Sequence, residues 1–134
     1  MENDGHFSGE IVGIGTDLTD VARIRSLLEK YSDAFLKKAF GDAEASYCMS
    51  LANPAESLAA RFAAKEAVAK ALGTGFSEGV TPRGIVVVKT PSGAPQVELD
   101  APSKKIMDSL GGKKIFLSLT HTKDYAQAFA IITR

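Results

Sequence analysis

Two carboxylates in this chain have the type and setting for chemistry. Asp17 stands where a β-branched run, residues 10–16 (EIVGIGT), meets the start of a helix, and Glu66 lies inside a long helical segment. Two widely separated acids of this kind can ligate a hard cation such as Mg²⁺, which takes oxygen ligands, keeps several waters and often completes its shell with substrate phosphates. Asp17 has an ordinary reading too, because either it or Asp20 can simply cap the helix that follows. At 100° per residue, Leu58, Phe62, Ala69 and Leu72 define a buried stripe, with Lys65 inside it and Glu66 at its edge, about 40° from Phe62. A Lys–Glu pair there is costly to bury unless paired, ligated or hydrogen-bonded, which points to a helix bordering a cleft. The ordinary alternative has Lys65 snorkel to solvent and Glu66 pair with Lys70 four residues on. The residues alone leave both readings open.

His121 is one of two histidines and sits in the polar turn SLTHTKDY between two apolar runs, a loop position of the kind that carries function. His6 lies in the polar first stretch. Gly13-Ile14-Gly15 lacks the third glycine of a dinucleotide fingerprint, since position 18 is Leu18, and no glycine is followed by Lys-Ser or Lys-Thr at P-loop spacing. The single Cys48 allows no internal disulfide, which suits a reducing cytoplasm.

The elements that must hold these residues follow from composition and period. With 134 residues, 45% of them apolar, the chain has material for one modest core. Sixteen basic against sixteen acidic residues leave no net charge, hence no global field for nucleic acid or membrane. No run approaches the ~20 apolar residues of a membrane span. Residues 1–9 read as a polar tail and 10–134 as one domain. The spacing predicts a strand over 10–16, an amphipathic helix from Val21 to about Lys38, a short helix over 43–51, and a strong helix over 54–72 with Pro54 in its first turn and Gly73 and Gly75 as its stop. Strands at 84–90 and 95–99 form a hairpin, a short helix covers 102–110, and strands at 114–120 and 125–133 form a second close pair. Ala126, Ala128 and Ala130 alternate along the last strand, so something packs very close to that face. The fold class is α+β, an antiparallel sheet with one long central helix and flanking helices.

Three segments in order carry a resemblance: Gly13-Ile14-Gly15-Thr16-Asp17-Leu18 with Arg23 six residues past the acid, Arg61-Phe62-Ala63-Ala64-Lys65-Glu66-Ala67 running through Lys70 to Gly73-Thr74-Gly75, and Ser118-Leu119-Thr120-His121-Thr122 before Tyr125-Ala126. Together they resemble the holo-[acyl-carrier-protein] synthases, the small bacterial type of the 4'-phosphopantetheinyl transferase superfamily. The resemblance implies Mg²⁺-dependent transfer of the phosphopantetheine arm of coenzyme A to a serine of apo acyl carrier protein, with release of adenosine 3',5'-bisphosphate, in cytoplasmic fatty acid biosynthesis. A related transferase acting on polyketide or peptide synthetase carriers is the alternative.

Residue by residue, it implies Asp17 and Glu66 as metal ligands and Lys70 as the cation that neutralises developing phosphate charge. Lys65 touches phosphate or supports Glu66, and Glu66 or a metal-activated water takes the serine proton. His121 and Thr122 contact the nucleotide part of coenzyme A, and Gly73 and Gly75 let backbone approach it. Arg23, with Arg25, Lys30, Lys37 and Lys38, forms the basic face that meets the acidic carrier, here interleaved with Glu29 and Asp33. A homotrimer with active sites between subunits is implied as well.

Overall fold

The computed structural model describes residues 9–134. The N-terminal stretch before Gly9, His6 included, lies outside the described residues. The elements in chain order are β1 (Ile11–Asp20), α1 (Val21–Ala39), α2 (Asp42–Met49), α3 (Pro54–Ala71), β2 (Ile85–Lys89), β3 (Pro95–Leu99), α4 (Ala101–Ser109), β4 (Lys114–His121) and β5 (Tyr125–Thr133). An antiparallel sheet runs β1-β5-β4, and β2 pairs with β3 as a separate hairpin.

The main departure from expectation is the length of β1. Its pairing with β5 continues from Asp17 opposite Ala128 to Asp20 opposite Tyr125, so the polar TDLTD run is strand rather than cap. Only Asp20 caps α1, its Oδ1 accepting from the Ala22 amide at 2.9 Å. Asp17 is thereby freed from the capping role.

α3 lies directly against this sheet, and the small residues explain how. A side chain at Gly13 or Gly15 would run into the carbonyl oxygens of Ala71 or Ala67 on the helix. Ala126, Ala128 and Ala130 of β5 are all buried beside them. The sheet thus offers α3 a floor without protruding side chains, which is the close packing that the alanine alternation predicts. The buried side of α3 is wider than a stripe: Ala55, Leu58, Ala59, Ala60, Phe62, Ala63, Ala64, Ala67, Val68 and Ala69 are all enclosed, as expected of a helix covered on several faces.

On the side of α3 away from the sheet a polar network ties three elements together. Lys65 is wholly buried, and its Nζ donates to Glu44 Oε1 at 2.6 Å and to the carbonyls of Pro82 at 2.9 Å and Ile85 at 2.6 Å. Glu44, on α2, also accepts from the amides of Gly41 and Val87. Arg61 donates to the Val87 carbonyl at 2.7 Å and lies over the Tyr47 ring.

Two further features bear on function. α1 bends at Ser32, which adopts φ 44° and ψ −120°, a left-handed conformation that disfavours a side chain. The sheet face opposite α3 is apolar and open to solvent, with Ile14, Leu18, Tyr125 and Phe129 all exposed.

Candidate active site

The strand period and the helix packing together create the acidic centre. Gly13, Gly15, Asp17 and Thr19 share the β1 face that meets α3, because side chains alternate along a strand. The first two are glycines and admit the helix; the next two carry polar side chains where Glu66 and Lys70 of α3 pass. Asp17 is held from two sides: Oδ2 accepts from the Thr19 hydroxyl at 2.7 Å, and Oδ1 lies 3.3 Å from Lys70 Nζ. Lys70 also donates to the Thr16 carbonyl at 3.0 Å. It thus bridges to β1 instead of being taken up in an exposed ion pair with Glu66.

Glu66 is half-buried. Burial pushes its carboxyl above the ordinary carboxylate range, and the negative charge of Asp17 pushes it further, while Lys70 and Arg23 pull it back. That ordering describes a half-buried acid close enough to Asp17 to feel its charge, with two cations beside it that draw the proton affinity back down. Arg23, at the start of α1, has its guanidinium 5.9 Å from the centre of the Phe62 ring, one turn before Glu66. Two carboxylates with all-oxygen donors and mutual repulsion fit a hard divalent cation with most of its coordination open. No cluster of three or more metal-binding side chains exists among the described residues.

Gly73 and Gly75, with φ 87° and 59°, end α3 beyond Lys70. Both face open space where a side chain would stand, so the backbone there is approachable. Lys65 does not stand where the resemblance implies: its ammonium is wholly buried, enclosed by Glu44 and two carbonyls, away from any surface where phosphate could bind. The physical reason is rotation about the helix axis: neighbouring residues on α3 point about 100° apart, so Glu66 faces β1 and Lys65 faces α2 and β2.

His121 and Thr122 lie elsewhere. A cleft of about 490 Å³ opens beside the start of α3, lined by Tyr47, Glu56, Arg61, Lys89, Leu119 and His121 among others. His121 Nδ1 is 3.5 Å from Glu56 Oε1. The Thr122 hydroxyl accepts from the amides of Asp124 and Tyr125 and so builds the β4–β5 turn. Ten residues of helix separate Glu56 from Glu66, about 15 Å at 1.5 Å per residue. Within one chain the acidic centre and the histidine cleft are thus two sites and not one.

Sequence reasoning missed Thr19, Glu44, Glu56 and Arg61. Thr19 carried a signal, since its i+2 spacing puts it on the Asp17 face of a strand, hidden only by the expectation that the strand had ended. Glu56 carried none, because an acid in the first turn of a helix is common without any partner.

The 4'-phosphopantetheinyl transferase superfamily model matches residues 13–130, which include both halves of this arrangement. The chain belongs to that superfamily. Among curated relatives, the holo-[acyl-carrier-protein] synthase of Chlamydia trachomatis serovar D is 46% identical over 119 residues, 89% of this chain and 97% of that protein. Among solved structures, the holo-[acyl-carrier-protein] synthase of Neisseria meningitidis superposes with a TM-score of 0.86 at 33% identity, covering 93% of this chain and 100% of that one. The Helicobacter pylori synthase in complex with coenzyme A superposes with a TM-score of 0.78 at 29% identity, covering 90% and 99%. This transferase therefore has the α+β fold that its residues predict.

Proposed function

We propose that this transferase moves the 4'-phosphopantetheine group of coenzyme A onto a serine of apo acyl carrier protein, releasing adenosine 3',5'-bisphosphate. The observation that carries the reading is the meeting of Asp17 on β1 with Glu66 and Lys70 on α3. Near-full-length similarity to holo-[acyl-carrier-protein] synthases supports it.

Asp17 and Glu66 would hold Mg²⁺ together, which would supply charge neutralisation at the pyrophosphate of coenzyme A. The Thr19 hydroxyl and the Lys70 ammonium orient the Asp17 carboxylate from its two oxygens. Lys70 faces the same place as a cation, suited to the charge that builds on non-bridging and leaving oxygens as the serine attacks the β-phosphate. Glu66, or a water hydrogen-bonded to it, takes the serine proton. Gly73 and Gly75 leave the backbone accessible to the ligand on the far side of Lys70.

His121, with Thr122 shaping its turn, binds the nucleotide part of coenzyme A. Since the histidine cleft and the acidic centre stand at opposite ends of α3, a complete site forms between chains, His121 of one facing Asp17 and Glu66 of the next. The exposed apolar sheet face around Ile14, Leu18 and Phe129 supports such an assembly, and a homotrimer is the form we assign. Arg23, the base of α1 whose charge acts on Glu66, leads the carrier-docking face with the exposed bases Arg25 and Lys30 of the same helix, in a cytoplasmic enzyme of fatty acid biosynthesis. No helix among the described residues is long and apolar enough to cross a membrane.

The test is direct. Incubation with coenzyme A, Mg²⁺ and apo carrier protein is expected to add one phosphopantetheine mass to the carrier, read by mass spectrometry. A carrier of unchanged mass under conditions where a known transferase modifies it contradicts the reading.

A further inference from the structure

The histidine cleft contains one acid. Of the described residues that line it, Arg61 and Lys89 carry positive charge, His121 is titratable, and Glu56 alone is a carboxylate. A cleft meant for a phosphate-bearing ligand binds worse for each carboxylate facing it, unless that carboxylate is engaged elsewhere. Glu56 is engaged: its Oε1 lies 3.5 Å from His121 Nδ1, with the acid mostly covered and the imidazole about half exposed.

We infer that Glu56 is a positioning residue that orients the His121 ring for the nucleotide phosphate of coenzyme A. The inference rests on the reading of His121 given above. The geometry supplies the reason. A carboxylate beside Nδ1 accepts that nitrogen's proton as a hydrogen bond, which fixes the ring plane and leaves Nε2 as the nitrogen able to face the cleft. At 3.5 Å the separation exceeds a usual hydrogen bond, so positioning requires the two groups to close when coenzyme A binds. Arg61 on α3, Lys89 on β2, and Lys123 and Asp124 in His121's own turn are the other charged groups around the cleft and its rim. Among the described residues Glu56 alone forms an ion pair with His121, so none of these groups substitutes for it.

The experiment is a double-mutant cycle on the full-length protein with E56A, H121Q and the pair, read as KM for coenzyme A, KM for carrier protein and kcat. E56A is expected to raise the coenzyme A KM about three- to fivefold with carrier KM and kcat unchanged. The double variant is expected to have a coenzyme A KM no higher than that of H121Q, because removing the positioner costs nothing once the positioned ring is gone and takes a disengaged carboxylate out of the cleft. Imidazole nitrogen spectra give a readout independent of turnover. The chain has only His6 and His121, so an H6Q background leaves one ring to observe, and E56A is expected to shift the Nδ1 resonance of His121. Additive effects in the cycle, or spectra that E56A leaves unchanged, overturn the inference. A coenzyme A KM unaffected by H121Q itself is a different failure: it removes His121 from the nucleotide site and takes the inference with it.

Discussion

Asp17 on β1 and Lys70 on α3, fifty-three residues apart in sequence, are joined by a 3.3 Å contact between Oδ1 and Nζ. That contact exists because Gly13 and Gly15 let the helix approach the strand until the Ala67 and Ala71 carbonyls fill the space of missing side chains. The floor of small residues and the acidic centre are therefore one device: α3 can bring Glu66 and Lys70 to Asp17 only because the preceding positions on the same strand face are empty.

The close approach has a direct test. Gly15→Ala puts a methyl against the Ala67 carbonyl and pushes α3 away from β1. Loss of transfer by at least tenfold is expected, together with destabilisation of about 1–3 kcal/mol in urea unfolding. Wild-type activity in this variant would mean that the acidic centre tolerates displacement of the helix.

Glu66 yields a prediction with a definite sign. Its carboxyl is raised by burial first and by Asp17 second, so the folded chain binds this proton more tightly than the unfolded chain does. A group raised in this way stabilises fully below its unfolded value, and that contribution disappears as pH rises through the folded value. Glu66→Gln should therefore raise Tm relative to wild type at neutral pH without metal, with the gap closing as pH falls to the ordinary glutamate range near 4.5. Thermal unfolding from pH 4 to 8 checks it, and a gap that widens toward acid contradicts it.

Lys65 and Glu44 form a buried pair whose role is structural. Burial pulls the Lys65 ammonium below its usual range, and Glu44 opposes that shift. Lys65→Met leaves Glu44 facing an apolar side chain and is expected to cost about 3–5 kcal/mol, part of which the double variant with Glu44→Gln recovers. Urea unfolding of both variants measures this. A wild-type midpoint with a raised coenzyme A KM would instead return Lys65 to the ligand site.

Ser32 carries the strain at the bend of α1. Ser32→Gly relieves a positive φ of 44° and is expected to stabilise by about 1 kcal/mol, the relief of strain exceeding the added entropy of the unfolded chain. Chemical denaturation reads the change, and a destabilised variant would contradict it.

How much of this was legible in the sequence differs by element for physical reasons. The helix beginning at Pro54, its glycine stop and both strand pairs are local signals and stand within a residue or two of expectation. The alanine alternation in β5 correctly announced close packing, since only a near neighbour explains so many small residues on one face. The end of β1 was not legible: Asp17, Thr19 and Asp20 are good capping residues, and only pairing with β5, more than a hundred residues away, keeps them in a strand. Glu44 was equally hidden, because a glutamate in a short helix normally faces water, and its partners on α3 and β2 come together only in the fold. For the same reason Lys65 and Glu66, adjacent in a motif, suggest one site in the sequence although the helix turns them about 100° apart, Lys65 toward α2 and β2.

The measurement that bears most directly on the central proposal, that Asp17 and Glu66 jointly hold the ion needed for transfer, is the Mg²⁺ dependence of carrier modification in wild type, Asp17→Asn and Glu66→Gln. Mass spectrometry of the carrier gives the rate of phosphopantetheine addition at each metal concentration. The account expects no addition by wild type after chelation, recovery on adding Mg²⁺, and a loss of about a hundredfold or more in each variant with the fold retained by circular dichroism. Transfer that proceeds in chelator, or a variant with the wild-type Mg²⁺ profile, contradicts it.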